Sequence, residues 1–476
     1  MTYYFYDLET STGSSRTGRI MQFAGQRTNE LLEPIGEPDN ILVKLADDVL
    51  PDPEAILIHR ITPQQTLTDG ISEADFTEFF HNKIAQANTV FVGYNNIRFD
   101  DEFIRFANYR SFYDPYEWHW KDGRGRWDLL DAMRIMRALR PEGLQWPFID
   151  GVPTVKLDQM AKINGLIHEN AHDALSDVLA LIQLGQKFMR AQPKLFHFLI
   201  QNRDKKAVAK IAEQGSPIVY TSGKYKSEFL KTTVVHTVFR HPRREAAVVW
   251  DLRHNPQEWF DKTPKELAEH WAVRYGDDKV PLPLKTMQYN RCPALAPLSV
   301  LDEASKKRIN YDDSFHKHYK LLVGNTDFNE KLLQALDILE NEQQARLPLE
   351  TQVDEQLYDD FWTDADRGEI IKIRQTNPEE FTQLLPQINN KRLRAMMPLY
   401  KARNFPRLLS KEEHEQWEKH RENALLKGGE SSRVAKVYSR MQDIAKTRQL
   451  SPEDEYLLSE LQLYVEGIVP ASLEDS

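Results

Sequence analysis

The chain has 476 residues, of which 41% are hydrophobic and 28% charged, with a formal net charge of −10. That length exceeds one ordinary hydrophobic core and predicts two or three domains. No apolar run reaches the roughly 18 to 20 residues of a membrane helix, the start reads as having no charged leader or cleavage site, and the single cysteine, Cys292, excludes an internal disulfide or a cysteine-based zinc site. A cytoplasmic protein that engages no membrane is therefore expected. The acidic balance argues mildly against a nucleic-acid partner, yet the stretch 194–347 carries 25 Lys and Arg against 20 Asp and Glu.

Along the chain, strands are predicted at 3–8, 20–27, 40–45 and 89–94, and helices at 72–86, 100–109, 128–138, 156–163 and 173–190. Early strands separated by turn-rich stretches, followed by strands interleaved with helices, predict a mixed α/β sheet covered by helices. Pro193 is expected to close the long helix. Residues 216–252 are rich in β-formers divided by Gly, Pro and Arg, and predict a small barrel or curled sheet, with helical patterns inserted at 264–271 and 328–343. A polar stretch near 346–355 reads as a linker, and the remainder reads as almost wholly helical.

The chemistry starts on the first strand. Side chains alternate faces, so Asp7 and Glu9 project together while Tyr6 and Leu8 turn into apolar packing. Two carboxylates held that close repel in a partly buried site, and a divalent cation relieves the repulsion; the same pattern also occurs on exposed strands. A second acid, Asp100, follows an apolar strand at the start of a helix, where α/β sites gather ligands, a position that equally suits a helix cap. A third, Asp177, falls in line with Ala174, Val178 and Leu181 on the face of its helix that should be buried, which is costly for an unpaired carboxylate. His172 lies about a turn earlier, at the helix entrance. Asp101, Asp128, Asp131 and Asp173 rank behind these as caps or paired acids.

Asp7 and Glu9 on an N-terminal strand, Asp100 after a later strand, and His172 five residues before Asp177 resemble the three motifs of the DnaQ-like 3′→5′ exonucleases, in the subgroup with four acids and a histidine. The resemblance extends to the bacterial exonuclease I family. It is carried by Gly-Tyr-Asn-Asn-Ile-Arg-Phe-Asp-Asp-Glu at 93–102, Tyr-Asp-Pro-Tyr at 113–116, Arg-Trp-Asp-Leu-Leu-Asp at 126–131, Leu-Arg-Pro-Glu-Gly at 139–143, the stretch 170–177, and Tyr-Lys-Ala-Arg-Asn-Phe-Pro at 400–406. It implies an RNase H-like α/β nuclease domain at 1–193, an SH3-like α+β domain with helical insertions at 194–347, and an all-α C-terminal domain at 348–476.

The resemblance further implies 3′→5′ degradation of single-stranded DNA to deoxynucleoside 5′-monophosphates, in DNA repair and recombination. Two Mg²⁺ ions, with Mn²⁺ as a substitute, would be held by Asp7, Glu9, Asp100 and Asp177, and His172 would take the proton of the attacking water. Single-strand binding needs aromatic platforms and cations. The resemblance points to Tyr116 and Trp120 as strand contacts and to Arg105, Arg134 and Lys156 for phosphates or the 3′ end, with Glu9 also touching substrate; Lys285, Tyr358 and Phe361 are the candidates from the other domains. Lys156 stands where the family would carry Arg. The bland alternative for 358–362 is an amphipathic helix packed against its neighbours. A monomer is expected, with the acidic C-terminal tail of the single-stranded-DNA-binding protein as a partner; Arg140 suits such a tail, whereas Asp302 and Glu303 stand where a basic contact would be sought. An oligoribonuclease or proofreading-type exonuclease would share the five catalytic residues but lack the long C-terminal portion, and a decayed, purely DNA-binding protein would not keep all five.

Overall fold

The alternating residues at the start of the chain form the central strand of a five-stranded sheet in the computed structural model, which describes residues 1–168, 173–274, 276–345 and 352–470. Strand β1 (Thr2–Thr10) pairs antiparallel with β2 (Ile20–Thr28) and parallel with β4 (Thr89–Gly93); β3 (Asp39–Leu42) and β5 (Gly125–Asp128) form the edges, giving the order β3-β2-β1-β4-β5. The period-two pattern sorts the residues of β1 onto two cores. Tyr4, Tyr6 and Leu8 pack with Phe23, Phe76, Phe80, Phe91 and Phe103. Tyr3 and Phe5 pack on the other side with Val90, Val92, Trp127, Val178 and Leu181. Asp7 and Glu9 continue this second face beyond its apolar part.

Helices α1 (Pro53–His59), α2 (Pro63–Asp69) and α3 (Glu73–Phe79) start on the side-chain caps Asp52, Thr62 and Ser72. The first two, seven residues each, are too short to show in the hydrophobic periodicity, although Pro at their first positions marks them. The expected helix 72–86 is α3 followed by a single π-helical stretch, Phe80–Ile84. Then come α4 (Asp100–Arg110), α5 (Leu129–Leu139), α6 (Leu157–Ile163) and α7 (Ala174–Ala191), with a two-stranded hairpin, β6 (Phe148–Ile149) and β7 (Val152–Pro153), between α5 and α6. Pro193 does not merely close the long helix: α7 ends at Ala191, and Pro193 is the first residue of α8 (Pro193–Gln201), where its missing N–H costs nothing.

After α9 (Lys205–Ala212), five antiparallel strands form a second curled sheet in the order β11-β10-β9-β8-β12. These are β8 (Ile218–Thr221), β9 (Thr232–Arg240), β10 (Ala246–Asp251), β11 (Leu284–Gln288) and β12 (Leu295–Pro297). The sequence marked the first three; the last two are short and lie beyond the inserted helix Pro264–Ala272. One face of this sheet, with Val219, Val234, Val248 and Trp250, joins the core that contains α5 and α7. The nuclease-like sheet and the curled sheet are thus packed through one continuous apolar cluster.

From Asp364 to Ile468 the described structure is helical, as expected. The predicted linker lies partly outside the described residues, and Val353–Glu355 forms a single 3₁₀ turn. This last region grips the first at two apolar contacts: Phe106, Tyr109 and Phe112 of the α4 region against Ile373, Leu393 and Met396, and Met21, Leu45 and Ile56 against Ile444, Leu461 and Val465. Between these contacts runs a buried ion network. Asp354 is shared by Arg19 and Arg403 at 3.0 Å each, Arg403 also reaches Asp48 at 2.6 Å, and Arg110 pairs with Glu73. Burial works against charge on Asp354, but Arg403 and Arg19 outweigh it and hold its carboxyl below the usual range. Among the described residues no helix is long and apolar enough to cross a membrane.

Candidate active site

Three chain segments deliver carboxylates to one end of the first sheet. Asp7 and Glu9 stand on β1 opposite Ala24 and Gln22 of β2, with a bulge directly after Glu9. Asp177 projects from the first turn of α7, which packs across this face of the sheet. Carboxylate oxygens of Asp7, Glu9 and Asp177, one from each, lie within 4.8 Å of one another. Asp100 is buried as the first residue of α4; the preceding residue, Phe99, occupies the capping position and makes no side-chain cap, so Asp100 is not the N-cap that its sequence position also suited. The backbone N–H groups of Leu8 and of Asp100 itself favour the charged form of its carboxylate.

Burial raises the pKa of Asp7, Glu9 and Asp100, and the neighbouring acids raise it further. Glu9 is pushed up to about 9 by burial, then by Asp177, Asp100 and Asp173. Asp100 is pushed up to about 8 by burial and Asp101, against the pull of its two backbone donors. Asp7 is raised well above the ordinary carboxyl range by burial, then by Asp100, Glu9, Asp177 and Asp173. The charged neighbours acting on Asp7 and Glu9 are all acids, so protons or a cation must balance the site. A donor set made only of carboxylate oxygens suits a hard divalent ion, and the cluster implies dependence on a divalent metal.

The lower-ranked acids find partners elsewhere in the protein. Fully buried Asp101 accepts from the Tyr6 hydroxyl and pairs with Arg126. Asp128 caps α5 through the N–H of Leu130 at 3.0 Å and also accepts from Asn95 N–H at 2.9 Å. Asp131 pairs with Arg134 at 2.6 Å and Arg98 at 3.1 Å. Asp173 caps α7 and accepts from Gln22. The expected base, His172, lies outside the described residues. The structure adds His168, whose Nε2 contacts Asp177 Oδ1; it lies four residues before His172, a spacing that could have flagged it.

The expected strand contacts fall in two groups. Arg105 pairs with Glu102 at 2.6 Å and lies 5.3 Å from the centre of the Tyr116 ring, while the Tyr358 hydroxyl donates to the same Glu102. Trp120 is 59% exposed and Phe361 85% exposed. Residues 358–362 are turn and irregular chain, so the packed-helix alternative fails: Trp362 stacks on Tyr109 and half-exposed Tyr358 packs edge-on against Phe106, whereas Phe361 faces outward. Arg134 and Lys156 instead line a cavity of about 600 Å³ whose wall also includes Asp158, Asp177 and His168, and Ser227, Leu230 and Lys231 from the region of the curled sheet. Lys285 lies apart from both groups, its ammonium 4.9 Å from the ring centre of buried Tyr225. Arg140 is paired with Asp302 at 3.2 Å, so the acid flagged in the sequence neutralises the cation considered for the partner's tail.

Family models match in three consecutive blocks: "Exonuclease" over residues 4–184, "Exonuclease I SH3-like domain" over 203–337 and "Exonuclease I C-terminal domain" over 351–468. The chain is 35% identical to exodeoxyribonuclease I of Haemophilus influenzae over 439 residues, covering 90% of this chain and 91% of that protein. Its fold is similar to that of Escherichia coli exonuclease I in complex with a dA16 oligonucleotide, with a TM-score of 0.91 at 33% identity, covering 98% of this chain and all of the other. A zinc-ion-bound form of the E. coli complex with single-stranded DNA gives a TM-score of 0.90 at 33% identity over 98% of this chain and 99% of that one. With matching blocks along its length, and identity above 30% across most of both chains, the protein belongs to the exonuclease I family.

Proposed function

We propose that the protein is a 3′→5′ exodeoxyribonuclease of single-stranded DNA that releases deoxynucleoside 5′-monophosphates and serves DNA repair and recombination. The observation that carries this reading is the convergence of Asp7, Glu9 and Asp177 beside buried Asp100, next to a cavity lined by Arg134 and Lys156. The four carboxylates would hold two Mg²⁺ ions, with Mn²⁺ as a substitute. Metal bound there would polarise the scissile phosphate and offset the charge that builds up during hydrolysis.

The chain's own residues supply the rest. His172 takes the proton of the attacking water. Glu9, Arg134 and Lys156 orient the terminal nucleotide at its phosphate and 3′ end. Tyr116, Trp120, Tyr358 and Phe361 offer faces on which bases stack, and Arg105 and Lys285 offer charge to the backbone. The divisions 1–193, 194–347 and 348–476 are the functional units of this reading, the second and third confining the substrate to a single strand. A cytoplasmic monomer that docks the acidic tail of the single-stranded-DNA-binding protein completes it; with Arg140 engaged by Asp302, the tail would rely on other cations of the middle region.

The test is mononucleotide release from 3′-labelled and 5′-labelled single-stranded DNA, duplex DNA and RNA, with Mg²⁺ and with chelator. Early release of the 3′ label from single-stranded DNA alone, lost in chelator, is expected. Equal hydrolysis of RNA would favour the oligoribonuclease-type alternative, and Asp177→Ala retaining full turnover would refute the site.

A further inference from the structure

The cavity beside the carboxylates has cations that the reading above does not use. Arg137, on α5, is 5% exposed and has no carboxylate partner among the described residues. One of its terminal nitrogens donates to the backbone oxygens of Pro147 and Thr154, at the two ends of the β6–β7 hairpin, and its guanidinium sits 4.8 Å from the centre of the Phe148 ring. Burial alone brings its pKa down to about 10, so it is charged at neutral pH. A buried cation with no counter-ion is costly unless an anion arrives to complete it.

Lys231, on the turn leading into β9, lines the same cavity. Its ammonium also has no acidic partner among the described residues, and burial together with nearby Arg134 lowers its pKa. Leu230 and Lys231 both adopt left-handed backbone, with φ of 53° and 59°. Two consecutive non-glycine residues in that region are uncommon, and such strain persists where surrounding structure fixes a side chain for a purpose. Arg134 is already paired with Asp131, which leaves Arg137, Lys156 and Lys231 with no ion pair among the described residues, in a cavity whose lining also holds Asp158 and Asp177.

We propose that Arg137 and Lys231 form a phosphate-binding site in this cavity, built across the seam between the nuclease sheet and the curled sheet. It holds either a backbone phosphate of the strand under hydrolysis or the phosphate of the released mononucleotide. The proposal rests on the nuclease reading, and it adds a contact from the second sheet to the site of cleavage.

The test uses the full chain and two variants, Lys231→Gln and Arg137→Gln. Binding of an eight-residue oligothymidylate is measured in chelator from 50 to 200 mM salt. Inhibition by thymidine 5′-monophosphate and by thymidine is measured in Mg²⁺. A strand phosphate in the site predicts at least fivefold weaker oligonucleotide binding in each variant and a salt slope shallower by about 0.7 per lost contact. A product phosphate predicts at least fivefold weaker inhibition by the monophosphate, with thymidine unchanged. Because Arg137 also ties the hairpin, its variant is judged only if its melting curve matches the parent; otherwise Lys231→Gln decides. Unchanged binding, slope and inhibition in Lys231→Gln overturn the proposal, as does equal weakening of thymidine and its monophosphate. A parent chain that releases no mononucleotides would refute the nuclease reading instead.

Discussion

Chelation should make the stability of this protein depend steeply on pH, and divalent metal should remove that dependence. In the folded chain Glu9 titrates at about 9 and Asp100 at about 8, whereas ordinary carboxyls release their protons near 4 to 4.5. Between those limits the folded state keeps protons that the unfolded chain has released, so stability falls as pH rises through that window. Each retained proton costs about 1.4 kcal/mol per pH unit. Counting one proton for the mutually repelling group, the step from pH 6 to pH 8 removes about 3 kcal/mol. Metal at a hundred times its dissociation constant returns about 2.7 kcal/mol per site. The assay is thermal or urea unfolding at pH 6, 7 and 8 in chelator, Mg²⁺ and Mn²⁺, with Glu9→Gln as control. The parent in chelator should lose stability across the series, Glu9→Gln should lose less, and metal should flatten the curve. Stability independent of pH in chelator, or insensitive to metal at pH 8, would refute the repulsion from which the metal site is argued.

His172→Ala should lower kcat by roughly a hundredfold or more while leaving oligonucleotide affinity within about twofold, measured by single-turnover hydrolysis and by binding in chelator. Asp354→Asn removes the carboxylate partner of buried Arg19 and leaves Arg403 with Asp48 alone, and should cost about 3 to 5 kcal/mol in the unfolding of the contact between the first and last regions, detected as earlier proteolysis within 352–470. Phe361→Ala, at a side chain 85% exposed, should leave the melting temperature unchanged and weaken single-strand binding by about 1 to 3 kcal/mol if a base stacks there. Trp118→Ala, which empties a fully buried position between Phe80 and Phe91, should destabilise by about 3 to 5 kcal/mol in denaturant titrations.

What the sequence made legible follows from how each feature is encoded. Asp7 and Glu9 stand out because the period of a strand places them together and sets them against Tyr6 and Leu8, and Asp177 stands out as an acid on an otherwise apolar helix face. Neighbouring Asp100 and Asp101 are indistinguishable by residue type; only the fold brings Arg126 and Tyr6 to Asp101, while Asp100 pairs with no cation among the described residues. β5, β11 and β12 are three to five residues long and too short to carry a period. At 358–362, Asp359 and Asp360 favour a turn over the amphipathic helix that the aromatic spacing also allowed.

Strand β1 is bonded antiparallel to β2 along nearly its whole length, from Tyr3 to Thr10, and parallel to β4 over Thr2 to Phe5. This double anchorage has a genetic consequence. A substitution at Asp7 or Glu9 removes one ligand and leaves the strand in place. Deleting or inserting one codon upstream within β1 would exchange its two faces, sending Tyr6 and Leu8 toward Asp177 and driving both carboxylates into the aromatic core around Phe23 and Phe91. Frame-preserving length changes in these nine residues should therefore be selected against as strongly as loss of the acids themselves, whereas the turn between β1 and β2 should tolerate insertions.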